Sequence, residues 1–254
     1  MNTDSTDCRA TGSEIAFWVT LGALSPVIAW QGKQVRRQTL RLPEAAGKRE
    51  QLNDDDHFRV LIVGDSAAAG VGVEEQSDAL LGQLVSRLSK NHPVGFRLSA
   101  NTGDSSADLL RKLQADKTDT RTFDLVIISI GVNDVTGFTS LARWGRLLRT
   151  IRAEIQQRFQ PATILFTQVP PMHHFPALPQ PLRWLLGWRA RQLNTILNKT
   201  LRPEQVLNVS IPFDDIYMAT DGFHPGKPGY SLWAEEVMRS LNAPDQQKHP
   251  GSPQ

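Results

Sequence analysis

Ser66 ends the run Val60-Leu61-Ile62-Val63-Gly64-Asp65-Ser66, whose apolar stretch reads as a buried strand. A serine just past such a strand stands where open α/β sheets put their chemistry. Three later segments carry groups that would complement it. Asn101-Thr102-Gly103-Asp104 follows a weak strand, Gly131-Val132-Asn133-Asp134 follows a strong one, and Asp221-Gly222-Phe223-His224-Pro225 lies towards the carboxyl end. Together they offer a nucleophile, donors for a developing oxyanion, a general base and a carboxylate to orient that base. Those are the parts of acyl transfer from an ester to water, a reaction that needs no metal or organic cofactor.

Taken singly, each residue has a plainer reading. Ser66 could be a capping hydroxyl in a turn, Gly103 an ordinary left-handed turn residue and Asn133 an Asx-turn residue. His224 could be a surface histidine beside a turn aspartate. The pairing of His224 with Asp221 carries more weight, because Pro225 restricts His224 to extended backbone. In a loop so held, the carboxylate can bond one ring nitrogen and leave the other for Ser66, fixing the tautomer and stabilising the imidazolium. The oxyanion donors would be the backbone N–H groups of Ser66 and Gly103 and the carboxamide of Asn133.

Competing chemistries fit worse. Gly64, Gly70 and Gly72 match neither the dinucleotide fingerprint nor a phosphate loop with its lysine. Ala68 stands where the G-x-S-x-G elbow needs its second glycine. Asp65 and Asp134 are expected to brace their loops, and Asp214 and Asp215 are further in sequence from His224 than Asp221 is. The adjacent His173 and His174 lack an acidic companion and the i, i+4 spacing that suits a metal. Their loop, VPPMHHFPALPQP, is expected to rim an acyl pocket with Trp184 or Trp188.

The elements that must position these groups alternate from Phe58 onward. Strand-like runs cover Phe58 to Val63, Phe96 to Ala100, Leu125 to Ile130, Ile164 to Val169 and Val206 to Val209. Helical stripes lie between them, such as Leu141, Trp144, Leu148, Ile151 and Ile155, and a last one at Tyr230, Trp233, Ala234, Val237, Met238 and Leu241. The alternation predicts an α/β fold with a parallel sheet covered on both faces. Right-handed crossovers would leave every strand's carboxyl end on one edge, where four distant motifs can meet.

The 254 residues suit one catalytic domain, expected over residues 51–241, with extensions at either end. A formal net charge of +2 gives little reason to expect nucleic acid as a partner, and a single Cys8 excludes an internal disulfide framework. Residues 1–50 form an arm with an apolar segment, 15–30, interrupted by Pro26 and followed by Lys33, Arg36, Arg37 and Arg41. That segment is shorter than the roughly 20 residues that cross a bilayer untilted. It also makes a poor secretory signal, since Asp4, Asp7 and Glu14 precede it against Arg9 alone. Three placements are compatible with residues 15–41. They could span a membrane with the body in the cytoplasm, lie along an anionic membrane surface, or dock on the domain itself. A cytoplasmic or membrane-associated enzyme is the expectation. Residues 242–254 are expected to be a disordered tail.

The blocks VGDSAAAGVGV, NTGDSSADLL, SIGVNDV and DGFHP, read together, resemble the SGNH (GDSL-like) hydrolase superfamily. They occur in that family's order and span nearly all of the segment from Phe58 to about Leu241. The resemblance is closest to bacterial small esterases of the lysophospholipase/thioesterase type. It implies a flavodoxin-like three-layer α/β/α sandwich with a five-stranded parallel sheet of order 2-1-3-4-5. It also implies a triad of Ser66, Asp221 and His224 and an oxyanion hole of Ser66, Gly103 and Asn133. Two features depart from the family pattern: Ala67 replaces the leucine of the name motif, and the apolar arm lies outside the shared core. The substrate would be a small-molecule ester, with lysophospholipid, acyl-thioester, short-chain ester and acetylated sugar all compatible. Two rival readings keep the scaffold and change the function: a catalytically idle, membrane-tethered adaptor, and a nucleotide- or flavin-binding protein.

Overall fold

A computed structural model describes residues 12–90, 93–115 and 121–243. Cys8 and most of the expected tail lie outside the described residues. Six strands, β1 (Glu50–Gln51), β2 (Phe58–Gly64), β3 (Val94–Ala100), β4 (Leu125–Ser129), β5 (Thr163–Thr167) and β6 (Val206–Leu207), form one sheet of order β1-β3-β2-β4-β5-β6. The last five in that order run parallel and reproduce the predicted 2-1-3-4-5 arrangement. The added β1 is antiparallel to β3 at the edge. It escapes sequence reading because two exposed polar residues carry no alternation.

Apolar residues alternate along the strands and feed two cores. Val60 and Ile62 of β2 and Leu125 and Ile127 of β4 face helices α2 (Leu80–Leu88) and α7 (Lys227–Asn242). Leu61 and Val63, with Val126 and Ile128, face α3 (Ser106–Ala115), α5 (Leu141–Phe159) and α6 (Leu182–Thr200). This period of two, with both faces buried, makes the three-layer sandwich. Three predicted strand ends are trimmed, that of the last strand to Leu207. The chain turns after Ser129, and beyond Thr167 the backbone N–H and C=O of Val169 bond the side chain of Asn194 instead of a ladder.

Register places the chemistry on one edge. Gly64, the last residue of β2, pairs with Ala100 of β3 and with Ser129 of β4. The segments that begin at Asp65, Asn101 and Ile130 therefore leave the sheet side by side. The short helix α4 (Val132–Thr136) follows β4 at once, so Asn133 stays at that edge.

Within the arm, one 27-residue helix, α1, runs Gly12–Gln38, and Pro26 does not interrupt it. The proline removes the N–H that Gly22 carbonyl would receive, and the Ser25 hydroxyl donates to that carbonyl at 2.8 Å instead. One stripe of α1 faces the domain: Glu14, Phe17, Ile28 and Gln31 are buried, and Leu21, Leu24 and Val35 pack against the core. Its steps of three and four define one helical face. Gln31 donates to the carbonyl of Gln180 and accepts from the N–H of Leu182, which ties the helix to the start of α6.

Candidate active site

Ser66 lies in a tight turn after β2, closed by bonds from Ala69 N–H to Asp65 carbonyl and from Val71 N–H to Ser66 carbonyl. The Tyr230 hydroxyl of α7 reaches the carbonyls of both Val71 (2.7 Å) and Ala67 (3.0 Å) and clamps that turn to the helix. Burial, then the nearby Asp65 and Asp221, hold the Tyr230 hydroxyl well above its usual pKa, so it remains a donor. In the sequence Tyr230 reads as one more residue of an apolar stripe. Its signal was the polar tip on a buried ring, which needs a partner. Asp65 accepts from Ala67 N–H, as a bracing residue should, and burial pushes its carboxyl up to about 7.

His224 sits with Nε2 2.8 Å from Ser66 Oγ and Nδ1 2.6 Å from Asp221 Oδ2. The other carboxylate oxygen, Asp221 Oδ1, accepts from the N–H groups of Phe223 and His224. Burial alone would raise the Asp221 pKa, but the bonds from the His224 ring and from those two N–H groups outweigh it, and the net shift is downward. An ionised carboxylate only accepts, so Nδ1 carries the proton and Nε2 is free to accept from the serine. The loop itself is held by a bond from Ala219 N–H to the carbonyl of His224 and another from Gly226 N–H to that of Tyr217. Asp214, the rival carboxylate, caps its own turn by accepting from Ile216 and Tyr217 N–H.

Gly72 is the residue that lets the two loops meet. Its φ is +109°, and a β-carbon there would lie 2.3 Å from Pro225 carbonyl oxygen and 3.2 Å from His224 Cβ.

Gly103 and Asn133 line the same cavity as Ser66 and His224. Gly103 has φ +88°, with nothing within 4 Å of the place a β-carbon would take, so the approach to its backbone is open. Asn133 Nδ2 donates to the carbonyl of Asp104 at 2.9 Å, which orients the carboxamide and leaves its second hydrogen. Asp104 is held in turn by Lys112 at 2.6 Å. Asp134 braces the site as expected, accepting from the Ser106 N–H and hydroxyl and from the Thr139 hydroxyl.

The cavity measures about 690 Å³ and is mostly apolar, with Phe175, Val209, Ile211, Phe213 and Trp233 on its walls. Phe175 and Pro170 come from the predicted rim loop. Trp184 and Trp188 do not line it: Trp188 stacks edge-on against Phe17 of α1, and Trp184 packs on Trp188, so both serve the arm. The proline-rich loop is turned so that His173 abuts Gly187 of α6, where a β-carbon would meet its backbone nitrogen at 2.8 Å. An unforeseen wall comes from the arm, where Val35, Arg36, Thr39, Leu40, Arg41 and Leu42 all face the cavity.

The model of the GDSL-like lipase/acylhydrolase family matches residues 62–232. No curated protein matches the sequence. Among solved structures, TesA superposes with a TM-score of 0.54 at 22% identity, covering 72% of this chain and 98% of its own. A lipase from a goat rumen metagenome, Lip_vut3, gives 0.54 at 15% identity over 72% and 97%. Axe2, an acetylxylan esterase from Geobacillus stearothermophilus, gives 0.51 at 18% over 75% and 97%. At these identities the likeness is one of fold.

Proposed function

Since the chain belongs to the GDSL-like lipase/acylhydrolase family, we propose that it is a serine hydrolase of carboxylic esters, with Ser66, His224 and Asp221 as its triad. Two separations carry this assignment: 2.8 Å from Ser66 Oγ to His224 Nε2, and 2.6 Å from His224 Nδ1 to Asp221 Oδ2. As Ser66 Oγ attacks the ester carbonyl, its proton passes to Nε2, and Asp221 stabilises the imidazolium. The tetrahedral oxyanion is received by the N–H groups of Ser66 and Gly103 and by the carboxamide of Asn133. His224 then protonates the leaving alcohol, leaving an acyl-enzyme, and water repeats the sequence to free the acid. The apolar walls of Val209, Ile211 and Phe213 suit an acyl chain better than an acetyl group alone.

The test pairs covalent labelling with turnover. A fluorophosphonate should label wild-type protein at Ser66, and p-nitrophenyl esters of graded chain length should be hydrolysed by wild type and not by Ser66→Ala. Absent labelling, with equal hydrolysis by the two proteins, would overturn the assignment.

A further inference from the structure

A helix docked on a soluble domain ordinarily turns a polar face to water. The outer face of α1 does not. Ile15, Val19 and Trp30 are 55%, 67% and 63% exposed, and Trp18 and Val27 are also exposed. Trp18 is partly covered by Phe17 and by the guanidinium of Arg189, whereas Ile15, Val19 and Trp30 keep most of their surface open among the described residues. Trp184 of α6, joined to Phe17 through Trp188, extends the apolar surface beyond the helix.

The carboxyl-terminal part of the same helix changes character. Lys33, Arg36, Arg37 and, just beyond it, Arg41 line a groove of about 490 Å³ whose apolar walls include Phe138 and Leu182. No carboxylate lines that groove, and none of the four cations has an ion-pair partner among the described residues. Arg36 and Arg41 also line the Ser66 cavity, so the cationic zone and the cavity share a wall.

An apolar strip rich in tryptophan, followed by unpaired cations, complements an anionic bilayer surface: the rings enter the acyl boundary and the cations meet headgroup phosphates. The inner face of α1 is occupied by the domain from Glu14 to Val35, so the docked helix lies flat instead of crossing. We propose that α1 seats the protein on an anionic lipid surface and opens the Ser66 cavity to amphiphilic esters held there. The part concerning esters rests on the hydrolase reading above; the docking does not.

The experiment uses the full chain with vesicles of phosphatidylcholine, with and without phosphatidylglycerol, in a flotation assay at low and high salt. Binding to the anionic vesicles, released by salt, is the expected result. Lys33→Glu with Arg37→Glu should weaken it by more than about tenfold, since each basic residue near such a surface is worth about 1 kcal/mol. Ile15→Ser/Val19→Ser/Trp30→Ser should weaken it similarly, with an unchanged melting temperature and unchanged hydrolysis of a soluble ester. That triple variant should lose hydrolysis of a lysophospholipid presented in the anionic vesicles. Ser66→Ala should bind vesicles like wild type, so a failed hydrolase assignment would leave the docking result standing. No binding by wild type, equal binding to neutral vesicles, or protein that resists both salt and alkaline extraction would overturn the proposal. So would a dimer, seen by sedimentation, that the triple variant abolishes. Should the triple variant fail to fold, the charge-reversed variant and the salt dependence still decide.

Discussion

The guanidinium of Arg189 in α6 lies 3.7 Å from the carboxylate of Glu14 in α1, with the arginine side chain wholly buried and the glutamate nearly so. Arg189 also donates to Gln192 and to the carbonyl of Thr139, and it lies 4.8 Å over the ring of Phe17. Glu14 in turn accepts from the N–H of Leu141, the first residue of α5. A residue read from sequence as an objection to a secretory signal is thus a buried counter-ion. Removing one partner leaves the other charge bare in the interior. Glu14→Ala is expected to cost about 3–5 kcal/mol in urea unfolding, and Glu14→Ala with Arg189→Met is expected to recover part of that loss.

Gly72→Ala tests how the loops that carry Ser66 and His224 approach. A methyl group there meets the Pro225 carbonyl and the His224 β-carbon. The loop must retreat, and a shift near 1 Å at the imidazole is expected to lower kcat by about 10²-fold. Circular dichroism should show the same secondary structure, and fluorophosphonate labelling should slow in parallel.

Under the proposed mechanism, Asn133→Ala removes a donor to the negative charge that forms on the substrate oxygen, together with the bond to the Asp104 carbonyl. The expected outcome is a fall in kcat of roughly 10²–10³, with little change in KM. A rise in KM alone would assign Asn133 to substrate binding instead.

Asp221→Asn keeps the shape of the loop but replaces an obligate acceptor with a group that can also donate. The imidazole then loses its preferred tautomer, and kcat is expected to fall by about 10⁴. Linkage adds a stability signature. The folded-state pKa of Asp221 is lowered, so its contribution is present above the unfolded value and is lost as pH falls through the folded one. Wild type should therefore lose more stability than Asp221→Asn on acidification below the usual carboxylate range.

Asp65 has the opposite sign. Burial raises its carboxyl from 3.8 to about 7, so between those values the folded protein holds a proton that the unfolded chain releases. Stability from this group falls as pH rises through that window, by at most about 1.4 kcal/mol per pH unit. Asp65→Asn can still accept from Ala67 N–H but does not titrate. Urea unfolding followed across the window should give a flatter profile for the variant.

Much of this protein is determined locally and is legible without coordinates. The unbroken apolar runs Val60 to Val63 and Leu125 to Ile128 settle that both faces are buried, and the helix–strand order settles a parallel sheet. From those two facts Ser66, Gly103 and Asn133 fall on one edge, because the strands that precede them end there, whereas His224 lies in the long segment between β6 and α7 and is brought there by the packing of its loop. Other relationships were decided only by packing between segments far apart in the chain. The clamp from Tyr230 to the Ser66 turn, the space at Gly72 for Pro225, and the arm's contribution of Arg36 and Arg41 to the cavity are of this kind. Trp184 and Trp188 show the limit clearly: sequence places them on a helix beside the pocket loop, but which way that helix turns depends on Phe17, more than a hundred residues away. Periodicity reports that a residue is buried; only the assembled neighbours say against what.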